Sequence, residues 1–141
     1  MASAGLQSLI SPINDFQFAS MPNIYFGWGI RHQLIESLQK KAPQTAVLIT
    51  GNHIAGPGQF GDILMKELSK FCSVKHFKVS GEPSPDLVDK IVSQCNPASN
   101  IVIGLGGGSA LDAAKAVAGL IPSQTSVMKY LEGVGEGQAF D

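Results

Sequence analysis

Residues 100–120, NIVIGLGGGSALDAAKAVAGL, pass from a short apolar run through three consecutive glycines into an alanine-rich segment. The apolar run, Ile101, Val102, Ile103 and Leu105, has the composition of a strand covered on both faces. The segment from Ser109 onward reads as a helix. A helix that starts directly after a strand aims its first amide N–H groups and its positive dipole end at the carboxyl edge of the sheet, where ligands of open α/β folds bind. Glycine at that turn lets the backbone approach a phosphate with no Cβ in the way. It also permits the positive φ with which successive N–H groups form an anion cradle. A tight turn by itself would need one glycine or two. Gly106, Gly107 and Gly108 are therefore expected to bind the phosphates of a nucleotide. Ser109 is expected to cap the helix or to turn its hydroxyl to the same phosphate, and Asp112, three residues on, would complete a capping-box-like pair. The turn is not a Walker loop, since no Gly-Lys-Ser/Thr follows, nor is it the usual dinucleotide GxGxxG.

The sequence before this turn repeats the same alternation. TAVLIT, 45–50, is a continuous apolar run and is expected to be a buried strand. Upstream, Leu34, Ile35 and Leu38 share one helical face from Arg31 until Pro43 forbids continuation. Downstream, Phe60, Ile63, Leu64, Leu68 and Phe71 recur at helical spacing, and SVKHFKV, 73–79, follows as a weaker strand whose Lys75 and Lys78 mark an edge. In SPDLVDKIVSQC, 84–95, Ser84 is the N-cap, Pro85 the first helical residue and Asp86 a favourable charge near the positive end. Leu87, Val88, Ile91 and Val92 form its buried stripe, and Asn96-Pro97 stops it. Strand and helix alternating at these lengths predict an α/β fold, Rossmann-like and doubly wound, with a mostly parallel sheet and right-handed crossovers. Nearer the N-terminus, Phe16–Phe18 and Asn23–Phe26 are expected to be paired short strands, separated by Pro22 and closed by Gly27 and Gly29. Residues 1–15 are read as a flexible polar lead and 16–141 as the α/β domain, incomplete at its C-terminal end because the glycine-rich stretch after Pro122 has no helical stripe.

With 141 residues, 44% of them hydrophobic, the chain is large enough for one domain with its own core. A net charge of −1 gives no electrostatic case for nucleic acid or an acidic membrane. Neither a basic leader with an apolar stretch nor a run of about 20 apolar residues is visible, so a cytoplasmic protein is expected. Cys72 and Cys95, in no metal-binding spacing, are read as free thiols.

The block Gly106-Gly107-Gly108-Ser109, two residues, Asp112, two residues, Lys115 resembles the GGGSxxDxxK signature of the iron-containing alcohol dehydrogenase family, related to dehydroquinate synthase and glycerol dehydrogenase. Pro22-Asn23-Ile24-Tyr25-Phe26-Gly27-Trp28-Gly29 is similar to that family's opening strand motif, and Tyr130-Leu131-Glu132-Gly133-Val134-Gly135 to its sequence past the glycine turn. The resemblance covers nearly the whole chain from about Phe16.

It implies an NAD(P)-binding α/β domain of an oxidoreductase that passes hydride between an alcohol or aldehyde substrate and nicotinamide. In the family an all-helical C-terminal domain supplies one aspartate and three histidines to Fe2+ or Zn2+. The sequence ends before that domain, so no catalytic or metal-ligating residue is assigned to it, and the chain alone is expected to be inactive. His32, His53 and His76 are read as surface or edge-strand histidines. A homo-oligomer, as a dimer, is expected for the parent protein.

The resemblance carries the cofactor pyrophosphate onto Gly106, Gly107, Gly108 and Ser109. Asp112 matches a family position, where a helix-cap role and a cofactor role stand side by side; Lys115 is read as a solvated lysine. Many relatives have an acidic residue at the end of the first strand, where it accepts hydrogen bonds from the adenosine ribose. Here Gly51 and Asn52 stand in its place, which permits NADP as well as NAD. Some relatives have asparagine where Ser84 stands, so Ser84 is a further cofactor-contact candidate. A nucleotide-binding module without catalysis, and a dehydroquinate synthase or glycerol dehydrogenase type of enzyme, are the alternatives.

Overall fold

The computed structural model describes residues 22–139. Two compact units divide the chain, Met1–Ile30 and Arg31–Asp141. In the first, the described residues form no strand: Asn23–Phe26 is irregular, contrary to expectation. A strand needs a ladder partner, and none is present among the described residues of that unit. Its expected partner, Phe16–Phe18, and the lead 1–15 lie outside them.

The second unit is an α/β layer structure. After a 3-10 turn, Ile30–His32, come α1 (Gln33–Lys41), β1 (Thr45–Gly51), α2 (Phe60–Leu68), β2 (Ser73–Val79), α3 (Pro85–Gln94), β3 (Ile101–Leu105) and α4 (Gly108–Leu120). The three strands are parallel in the order β2-β1-β3. β1 is therefore the central strand, and its run Ala46–Thr50 is buried throughout. β2 is an edge, as Lys75 and Lys78 suggest. β3 departs from the expectation of full burial: it is the other edge among the described strands, and only Ile103 in it is buried.

Side chains of β1 alternate between two cores. Val47 and Ile49 meet Val88, Ile91 and Val92 of α3 and Ala113, Val117 and Leu120 of α4. Ala46 and Leu48 meet Leu38 of α1 and Phe60, Leu64 and Leu68 of α2 on the opposite face. Helices on both faces of a parallel sheet make the fold Rossmann-like and doubly wound. Each helix ends for a local reason. Ala42, held by Pro43 out of the helical region, closes α1 at φ 45° with its N–H donating to the carbonyls of Leu38 and Gln39. Ser84 Oγ caps α3 by accepting from the Leu87 N–H at 3.3 Å.

α4 packs through small residues. A Cβ at Gly104 would lie 2.8 Å from Cβ of Ala114, so glycine on β3 and alanine on α4 together set how close this helix comes to the sheet. Past α4, Asp89 of α3 holds the chain down by accepting from Ser126 Oγ at 2.5 Å and from the Val127 N–H at 2.8 Å. A single 3-10 turn, Val127–Lys129, follows. Cys72 and Cys95 are free, and burial pushes both thiols up from their ordinary pKa. Among the described residues no helix is long and apolar enough to cross a membrane.

Candidate functional site

Parallel pairing brings the carboxyl ends of β1, β2 and β3 to one edge of the sheet, where the chain leaves at Gly51, Val79 and Leu105. The three glycines that follow β3 serve two different physical purposes. Gly106 has φ +148°, and a Cβ on it would lie 3.1 Å from Cβ of Ala110 and 3.2 Å from the Gly51 nitrogen. Gly106 is there for backbone conformation and close packing. At Gly107 and Gly108 an added Cβ would meet nothing within 4 Å. These two bound open space at the start of α4.

Gly107, extended at φ −80° and ψ −172°, is the N-cap of α4, and its carbonyl accepts from the N–H groups of Ala110 and Leu111. Ser109 therefore lies inside the first turn and makes no capping bond, which corrects the capping-box expectation. The cap position requires extended backbone, and the chain reaches it two residues before Ser109. Asp112 is too far along the helix to cap it; its carboxylate instead accepts from Lys115 Nζ at 3.3 Å on the exposed face. The N–H groups of Gly108 and Ser109, at the first positions of α4, have no preceding turn of helix to supply an acceptor.

A cleft of about 280 Å³ lies at the start of α4, lined by Gly107, Gly108 and Ser109, by Gly51, Asn52 and His53, and by Val79 at the end of β2 with Ser80 and Gly81 just past it. A second recess of about 400 Å³ shares Gly51, Asn52, His53 and Gly107 and adds Ile54, Leu105 and Gly106. The loop carrying Asn52 and His53 is tied to α2 at two points. The Gly61 N–H donates to the Ile54 carbonyl at 2.9 Å, and the Gly58 N–H donates to Asp62 at 3.0 Å. The Lys66 ammonium, bonded to Asp62 at 2.8 Å, and then the Gly58 N–H hold the Asp62 carboxyl below its ordinary pKa. Beneath the loop, buried Thr50 shares a 2.9 Å hydrogen bond between its Oγ1 and His76 Nε2. Burial, with the positive charge of Lys78, pushes the His76 pKa down.

Of the candidate residues named from the sequence, the fold brings Gly51, Asn52, Gly106, Gly107, Gly108 and Ser109 together around the cleft and its recess. Ser84 and Asp112 are not among the residues lining either. The cleft also includes Ser80 and Gly81, which were not singled out, and His53, which was read only as a surface or edge-strand histidine. A histidine two residues past a strand end carried a weak signal: His53 is exposed, as read, and still lines both hollows. His32 stands edge-on to the Phe60 ring. Among the described residues no group of three or more His, Cys, Asp or Glu side chains could hold a metal ion.

The chain is similar over 90% of its length to NADH-dependent butanol dehydrogenase A from Thermotoga maritima, with a TM-score of 0.75 and 22% identity, a likeness that shows the fold. It covers 32% of that protein. An iron-containing alcohol dehydrogenase of known structure matches 74% of the chain at 29% identity and a TM-score of 0.60, with 29% of that protein covered. Glycerol dehydrogenase from Schizosaccharomyces pombe matches 64% at 25% identity and a TM-score of 0.53, with 23% of it covered. The chain thus spans a third or less of these relatives. No curated protein sequence matches it. The model of one family, iron-containing alcohol dehydrogenase, matches residues 22–140. With the glycine turn, the parallel sheet and the sequence match in agreement, the chain belongs to the iron-containing alcohol dehydrogenase family.

Proposed function

We propose that this chain is the cofactor-binding part of an NAD(P)-dependent alcohol dehydrogenase, an enzyme that moves hydride between a small alcohol or aldehyde and nicotinamide. One observation carries the reading: the open space at Gly107 and Gly108 coincides with the N-terminus of α4 at the carboxyl edge of the sheet. A Cβ at either position would project into that space, so the residues present fit a dinucleotide pyrophosphate. The Gly108 and Ser109 N–H groups donate to its oxygens, and the positive end of α4 favours its charge. Gly51 and Gly106, packed backbone against backbone, keep the turn from shifting. The bound nicotinamide supplies the hydride acceptor or donor.

The family's metal, iron or zinc, is not matched by any ligand cluster among the described residues, and no chemistry through it is assigned to this chain. Its ligands, the alcohol-binding wall and turnover itself belong to the rest of a longer, dimeric, cytoplasmic enzyme; the chain alone binds cofactor without catalysis. The likeness to glycerol dehydrogenase favours a polyol as the second substrate reading.

Calorimetric titration of the chain with NADH and NADPH tests the proposal. Saturable binding of either, abolished in Gly107→Asp, supports it. A folded chain that binds neither overturns it.

A further inference from the structure

Thr50 is the one fully buried polar residue among the described residues, in a strand whose other buried positions, Ala46, Val47, Leu48 and Ile49, are all apolar. A valine of the same shape would fill that position without the cost of burying a hydroxyl, so the hydroxyl is explained by its partner. That partner is half-buried His76 on β2, whose Nε2 lies 2.9 Å from Thr50 Oγ1. Thr50 pairs with Lys78 and His76 with Leu48, so the bond runs diagonally from the central strand to the edge strand. Among the described residues no other side-chain hydrogen bond joins two strands of the sheet. Burial and Lys78 push the ring's pKa down from 6.5, so at about pH 7.5 it is neutral, and a neutral imidazole and a hydroxyl can each donate to the other.

The bond lies next to the cleft without entering it, since neither Thr50 nor His76 lines the cleft or its recess. Gly51, which follows Thr50, pairs with Val79 at the end of the β1–β2 ladder, and both line the cleft. The end of a ladder opens most readily, and a side-chain bond one residue before it ties the two exits together. The Gly51 nitrogen, bonded to the Thr50 carbonyl carbon, is also the atom that a Cβ on Gly106 would approach to 3.2 Å. The position of Thr50 is thereby passed to the glycine turn before α4.

Resting on the reading of the cleft as a dinucleotide site, we infer that Thr50 and His76 are positioning residues for cofactor binding, whose hydrogen bond holds the Gly51 and Val79 exits, and through Gly106 the glycine turn, at the spacing that a dinucleotide fits. The pair touches no part of the ligand, so it acts alike on NADH and NADPH.

Dissociation constants for both cofactors, measured by calorimetric titration of the folded chain at about pH 7.5 beside urea midpoints, test this. Thr50→Val keeps the shape and removes the hydroxyl; it should weaken both cofactors alike by about three- to tenfold, the range of one neutral hydrogen bond. Thr50→Ser, which keeps the hydroxyl and loses a buried methyl, should bind within about twofold of the wild type even though its urea midpoint falls. His76→Leu, on the edge strand, should reproduce the loss seen in Thr50→Val, and His76→Gln, which can still bond Thr50, should not. Affinity that follows the urea midpoint rather than the hydroxyl, with Thr50→Ser binding no better than Thr50→Val, overturns the positioning role. Unchanged binding in both Thr50→Val and His76→Leu overturns it too, and either result leaves the cofactor site standing. Binding of neither cofactor by the folded wild-type chain removes the site and this inference with it.

Discussion

Gly106 and Gly51 are packed backbone to backbone: a Cβ on Gly106 would sit 3.2 Å from the Gly51 nitrogen, on a residue whose φ is +148°. This contact joins the end of β3 to the end of β1 and sets the floor from which Gly107 and Gly108 rise. Gly106→Ala would have to strain the backbone and push Ala110 or Gly51 away. It should cost about 1–3 kcal/mol, read as a lower urea midpoint at unchanged slope.

Gly107 behaves oppositely. Its extended backbone at the N-cap suits aspartate better than glycine, and the carboxylate would also meet the positive end of α4. Gly107→Asp should therefore leave the chain as stable as before or more so by about 0.3–1 kcal/mol, while nucleotide binding is lost. Loss of both stability and binding would mean that Gly107 is structural.

The segment after α4 hangs on one carboxylate. Asp89 accepts from both Ser126 Oγ and the Val127 N–H, and Asp89→Ala leaves those two donors without their acceptor. A loss of about 1–3 kcal/mol is expected, with faster amide exchange at Val127–Lys129 than in β1.

Stability should fall on mild acidification because of His76. Its pKa in the folded chain is below the ordinary 6.5, first through burial and then through Lys78. Between those two values the unfolded chain binds more protons than the folded one. The stabilisation is complete above pH 6.5 and is lost as the pH falls toward the folded value. Urea midpoints measured between about pH 7.5 and 5 should decline, and His76→Gln, which can still bond Thr50, should flatten the decline.

The central strand, the helices from α1 to α4 and the parallel sheet were legible because local pattern and tertiary burial agree there. Within TAVLIT, Ala46, Val47, Leu48 and Ile49 are the apolar residues that pack against the two helical layers, and the Ser84-Pro85-Asp86 start of α3 is a purely local signal. The edge position of β3 was not legible, since an apolar run of that length reads the same at the centre or at the side of a sheet; which strands flank it depends on pairing across tens of residues. Asn23–Phe26 is irregular where its composition suggested a strand, because a strand forms only against a ladder partner and none is present among the described residues of that unit.

By itself the sequence determined that a strand ends in glycines, that a helix begins at once, and that a phosphate-sized anion is the chemistry suited to such a turn. Only the tertiary structure divided the glycines by role, because that depends on which atoms stand where a Cβ would go. Around Gly106 they are those of Gly51 and Ala110, distant or one turn away in sequence, whereas around Gly107 and Gly108 there are none. It likewise drew His53 into the cleft and left Ser84 and Asp112 out of it, since the register of three parallel strands, not spacing along the chain, decides which loops meet at their carboxyl ends.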